Sequence, residues 1–230
     1  MKRLINALSA FLMVILVAAP SLVQAEREDP LQVFPQLKRS RRIVAGFSSF
    51  LAAAQSDVIL SEESFIQSSI SDESSLLRQL TGDDVQANGP QCVGFIRESS
   101  NILMNLAGIA YTNCFNDADD QVFNELSKIS ELQLTREQYE QFNLLGAFRG
   151  ENIFVDPSRI RDKLLARSQA LASIPTVSAE TLEALRVAFG EIKTSFQSCM
   201  ADAQARLADN LKFSARQVRA ICAGEASKQI

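Results

Sequence analysis

From Ile43 onward, apolar residues recur every three or four positions, and no long stretch alternates apolar and polar with the period of a strand. Val44, Phe47, Phe50/Leu51, Ala54 and Val58 share one helical face. Phe65/Ile66, Ile70, Leu77 and Leu80 share the next, in a serine-rich segment that Gly82 is placed to cap. Residues 81–90 then break the period with the clearest loop composition of the chain, Thr-Gly-Asp-Asp-Val-Gln-Ala-Asn-Gly-Pro. The spacing predicts a helical hairpin over 43–82 and a separate helical body over 90–224.

Within that body, Cys92, Phe95/Ile96, Ser99, Ile102/Leu103, Leu106, Ile109/Ala110 and Cys114 follow a three-four spacing. One amphipathic helix with both cysteines on its apolar stripe is expected. Shorter helices follow near 117–132 and 136–149, the second opened by a Thr135–Gln138 capping box and followed by Gly150. Asp156-Pro157 begins another, which runs to about Ser173 before Pro175. From Leu182 through Leu185, Phe189, Ile192, Phe196, Cys199, Ala203, Leu207, Leu211, Ser214 and Val218 to Ile221 the stripe contains no proline, with Asn210 as one place where it could break. The fold class expected is all-α: a disulfide-linked helical bundle with long amphipathic helices.

Cys92 and Cys114 are 22 residues apart, and Cys199 and Cys222 are 23 apart. Twenty-two helical residues span about 33 Å, whereas a disulfide needs Cα atoms within about 7 Å. Continuous helices therefore leave two connectivities. Antiparallel helices give Cys92–Cys222 with Cys114–Cys199; parallel helices give Cys92–Cys199 with Cys114–Cys222. Strict up-down order through three intervening helices makes the two cysteine helices parallel, and one incomplete pass makes them antiparallel, the arrangement preferred here.

The first 25 residues have the form of an export signal: Lys2 and Arg3, an apolar run around Leu8–Ala19, then Pro20 and small residues up to Ala25. The apolar run is short for a membrane span, and no later stretch is long enough. Cleavage after Ala25 also removes the charges of Lys2 and Arg3, taking the net charge from −4 to −6. Such an acidic chain lacks the basic surface that nucleic acid requires. An extracellular destination makes the four cysteines two disulfides, and the chain carries no Asn-x-Ser/Thr sequon. Residues 26–42 form a polar leader ending in Lys38-Arg39-Ser40-Arg41-Arg42. The cluster is either a convertase site, with cleavage after Arg42 releasing a propeptide, or a solvated charge run before a helix, the commoner origin of such a run.

There is no histidine in 230 residues. That excludes Ser-His-Asp and Cys-His catalysis, His-based zinc hydrolysis and haem ligation through His. Oxidised thiols would remove cysteine chemistry as well. No phosphate-cradling glycine motif, nucleophile elbow or CxxC occurs, and no cofactor or metal is expected. Asp83-Asp84 and Asp119-Asp120 suit turns or helix starts better than a carboxylate dyad or a calcium loop, which needs alternating ligands around a glycine. Among the fourteen phenylalanines, Phe95, Phe123, Phe142, Phe189 and Phe196 fall at helical spacing, where core packing is the default over a lipid cavity.

The frame Cys92-Val-Gly-Phe, Tyr111-Thr-Asn-Cys114-Phe115, Ser195-Phe-Gln-Ser-Cys199 and Val218-Arg-Ala-Ile-Cys222 resembles the tsetse EP-type domain of secreted insect proteins, over about residues 90–224. The resemblance implies an extracellular all-α protein of gut, immune or reproductive secretions, and it brings no catalytic residues. The acidic Glu-Pro repeat tail of the family's founding member is absent here. Three functions stand. The first is a non-enzymatic secreted protein that binds an extracellular macromolecule or has a structural role. The second is an extracellular carrier of a small apolar ligand, and the third an enzyme working with carboxylates or tyrosine. A filled core with an exposed apolar face would favour the first, an internal apolar cavity the second, and a cleft with two carboxyls of raised pKa the third.

Overall fold

The computed structural model describes residues 28–40, 46–80, 90–170 and 176–226, and these form helices and 3-10 turns with no strand among the described residues. A 3-10 turn at Pro30–Val33 leads into α1 (Phe34–Ser40), followed by α2 (Phe47–Leu60), α3 (Glu63–Leu80) and α4 (Pro90–Ser127). After these come α5 (Arg136–Phe142), a 3-10 turn at Leu145–Ala147, α6 (Pro157–Ala170) and α7 (Ala179–Ala226). The all-α class expected from periodicity is the class observed.

Two helices carry the architecture. The 38 residues of α4 and the 48 of α7 run to about 57 and 72 Å at 1.5 Å per residue. The two pack lengthwise, while α3 lies against both. Along α7 the buried positions are Leu185, Phe189, Ile192, Phe196, Met200, Ala203, Leu207, Leu211, Ala215 and Val218. This three-four rhythm continues unbroken through Asn210, because nothing there interrupts the apolar stripe or removes a backbone donor. Against it α4 sets Ile96, Met104, Ala107, Cys114, Ala118, Val122 and other buried residues. Burying each large apolar side chain is worth about 1.5–3 kcal/mol.

The disulfide Cys114–Cys199, with Cα atoms 5.8 Å apart, fixes the direction. Phe115 and Phe196, beside it, pack with tilted rings whose centroids are 4.8 Å apart. Further on, residues 121–128 of α4 line a cleft with residues 188–195 of α7, so one helix descends as the other climbs. The helices are antiparallel, the arrangement expected from one incomplete intervening pass, and α5 has only 7 residues against the 38 of α4. Cys92 is disulfide-bonded; the side chain of Cys222, its expected partner, lies outside the described residues. The same register brings position 92 level with positions 221–222 of α7.

Several expectations need correction. The helix of Cys114 does not end there: it runs on to Ser127, so no separate helix spans 117–132. Asn116 and Asp117 are exposed or half-exposed and leave the buried stripe of Phe115, Ala118, Val122 and Leu126 intact. The Thr135 capping box is present, yet α5 stops at Phe142 instead of reaching 149. Asn143 turns to extended backbone, and its carboxamide oxygen accepts from Gly146 N at 3.0 Å, while Leu144 N donates to Gln55 Oε1 at 2.7 Å. Those donors are thereby taken from helix continuation.

The described part of the expected polar leader, residues 28–40, is not extended. Val33, Phe34 and Leu37 are buried in the common core, the turn packs against α6, and Arg161 donates to Gln32 Oε1 at 2.8 Å. Three apolar residues among polar ones had too short a period to read as a helix. The hairpin of α2 and α3 shares this core, with α3 against α7 and α4. The signal segment ending at Ala25, the cleavage position Arg42, Asp83, Asp84 and Pro175 lie outside the described residues.

Candidate functional site

Asp119 sits within α4, not at a turn or helix start, and is 1% exposed. Its Oδ1 accepts from Tyr139 Oη at 2.7 Å and from Asn143 Nδ2 at 2.6 Å. Its Oδ2 meets the guanidinium of Arg149 closely and that of Arg136 at 3.4 Å. Asp120, on the exposed side, takes the same two arginines at 3.2 and 3.1 Å. Arg136 also lies 4.7 Å from the Phe123 ring centroid. Burial, then the Asp119 charge, pushes the Tyr139 hydroxyl well above its ordinary pKa. Burial works to lower the Arg149 pKa, but the charge and hydrogen bond of Asp119, with the Glu140 and Asp120 charges, together raise it. Every lone-pair direction of Asp119 is thus taken, which makes it a clasp between α4 and the 136–149 segment. A general base needs a free oxygen facing a substrate, and Asp119 has none.

Glu62, in the turn between α2 and α3, is fully buried, and neither carboxylate oxygen has a hydrogen-bond partner among the described residues. Burial raises its pKa well above the usual carboxylate range. Nearby, the hydroxyls of Tyr111 and Ser69 share a hydrogen bond at 2.7 Å, and burial holds the Tyr111 pKa up at about 12. Glu62, Ser69 and Tyr111 are all buried.

The described interior is filled with rings. Phe115 stacks on Phe148 at 3.7 Å between centroids, and Phe34, Tyr111, Tyr139 and Phe154 are fully buried. A surface cleft of about 590 Å³ lies between the ends of α4 and α7, lined by Gln121, Asn124, Glu125, Lys128, Glu191, Ile192 and neighbours. Most of the lining side chains are polar or charged, with Ala188 and Ile192 among them. No group of three or more metal-ligating side chains occurs among the described residues.

What the molecule does present is an apolar face on α4. Phe95, Ile102, Leu106 and Ile109 are 48%, 54%, 56% and 53% exposed. At 100° per residue they fall within about 60° of one another around the helix axis. The buried face, on Ile96, Ser100, Met104, Ala107 and Tyr111, is on the opposite side. Expected in the core with its neighbours, Phe95 stands instead in solvent. Phe142, Phe189 and Phe196 are buried as expected, and Phe123 is partly so. Periodicity finds both stripes of α4 without saying which one the bundle covers; the three pairs of alternatives, Phe95/Ile96, Ile102/Leu103 and Ile109/Ala110, carry that ambiguity.

Gly108 shapes the edge of this face. A Cβ there would lie 1.9 Å from Asn152 Oδ1, so glycine admits the Asn152 carboxamide against the helix. Asn152 then donates to Asn105 O at 2.9 Å and accepts from Phe154 N at 3.0 Å. Comparison with family models, curated proteins and solved structures finds no match to this chain.

Proposed function

We propose that this chain is a secreted, non-enzymatic helical protein that binds an extracellular macromolecule through the exposed face of α4. One observation carries the reading: four large apolar side chains stand about half-exposed in a single stripe, on a bundle whose described core is already filled. Scattered apolar residues on a surface are ordinary, but an aligned row of this kind marks a contact surface. Helix faces with anchors three, four and seven residues apart are a recurrent mode of recognition. The export signal, the disulfide and the four-cysteine frame support an extracellular setting. The saturated Asp119 and the absence of histidine support a role without catalysis.

The test is capture from the extracellular fluid of the source tissue, using immobilised oxidised protein. Wild type is expected to retain a partner that Leu106→Glu does not. Equal capture by both would remove the α4 face from the reading, and a small-molecule adduct in a native mass spectrum would replace it with the carrier.

A further inference from the structure

The partner-binding reading of the α4 face has a specific form in which the occupant is a second copy of the chain. The exposed residues lie on a strict four-three repeat: Phe95, Ser99, Ile102, Leu106, Ile109, Asn113. A helix that merely buries one side in a globule shows a broader stripe, whereas a narrow seam of alternating four and three steps is the spacing of a two-helix coiled coil. Here that seam faces away from the bundle.

We propose that two molecules pair through this seam, α4 against α4, about a two-fold axis. Self-pairing brings like surfaces together, so it requires a face that tolerates its own copy. No seam residue is charged, and Glu98 is the one charged residue of Phe95–Asn113 that lies beside the seam around the helix, so pairing buries no lone ion and sets no single-sign row against itself. Asn113 closes one end as the polar seam residue that coiled coils use to fix register and partner number. The size of the face sets the strength. Half-exposed side chains of this size offer roughly 100 Å² apiece, hence roughly 800 Å² of apolar surface over two copies. With flanking polar groups this reaches the low end of biological interfaces, about 1,000–1,200 Å². The dimer is therefore a weak one, with a Kd in the micromolar range or above. Val155, Leu165, Val187 and Phe213 are also exposed but belong to no such repeat with one another.

Sedimentation velocity on the oxidised full mature chain, from low micromolar to near-millimolar concentration, tests this. Wild type should pass from monomer to dimer across the range. Ile102→Glu and Leu106→Glu should lose the dimer at every concentration while keeping the wild-type circular dichroism and thermal midpoint, because both side chains already stand in solvent. Val187→Glu, an exposed apolar position on α7, should dimerise like wild type. A wild type that stays monomeric throughout, or a dimer that survives both seam variants, overturns the proposal. A monomer that still captures another protein in a Leu106-dependent way overturns self-pairing alone and leaves the binding reading of the face standing.

Discussion

Asp119 and Glu62 are both buried carboxylates, and the fold keeps them in opposite ways. Two arginines, a tyrosine and an asparagine converge on Asp119, and its removal would take a partner from each. Asp119→Ala should cost about 2–4 kcal/mol in denaturant unfolding, below the upper range for a fully buried pair because Arg149 remains partly solvated. Asp120→Ala, with its side chain in water, should cost less than about 1 kcal/mol. Glu62 has no partner to offset burial, so the neutral acid is the favoured form in the fold. Its folded pKa lies above the unfolded value near 4.5, and folding therefore takes up a proton. The associated stability is complete below that unfolded value and is lost as pH rises towards the folded pKa. Glu62→Gln should raise the thermal midpoint at mildly alkaline pH and leave it nearly unchanged near pH 4.5, measured by calorimetry at both. An equal shift at the two values would mean that Glu62 is ionised in the fold.

At the scale of elements, α4 is a helix with two apolar faces, and its stability rests on only one. Met104 and Leu106 are two residues apart, the first fully buried and the second 56% exposed. Met104→Ala should cost about 2–5 kcal/mol through lost burial and the cavity left behind. Leu106→Ala should stay within about 0.5 kcal/mol. Chemical denaturation of the two variants side by side checks whether the bundle covers the face described. The capping box at Thr135 was legible because its two hydrogen bonds are local. Where α5 stops was not, because the donors that end it pair with Gln55, distant in sequence, and with the side chain of Asn143. Likewise Pro30–Ser40 carries too few apolar residues to declare a period, and it is helical because Val33, Phe34 and Leu37 find a core to enter.

For the whole molecule, the Cys114–Cys199 bond joins the two long helices across 85 residues of chain. On the chain-entropy model a loop of that length lends about 4–5 kcal/mol. Replacing both cysteines by serine should lower stability by roughly that amount, less whatever strain is relieved, and urea unfolding of the oxidised double variant measures it. A loss under about 1 kcal/mol would mean that helix packing alone holds the pair in register.

The sequence alone determined the all-α class, the long run of α7, the capping box and the narrowing of cysteine pairings to those that cross between helices. Each depends on relations within a few turns or on the fixed rise of a helix, which the order of residues contains. Tertiary structure decided the rest. The direction of α7 against α4 follows from how far the intervening segments carry the chain, and Asp119 becomes a clasp only because Arg136, Tyr139, Asn143 and Arg149 arrive over it. Which stripe of α4 faces water depends on where α3 and α7 lie. Burial is a property of neighbours, and hydrophobic periodicity records only that a face is available for one.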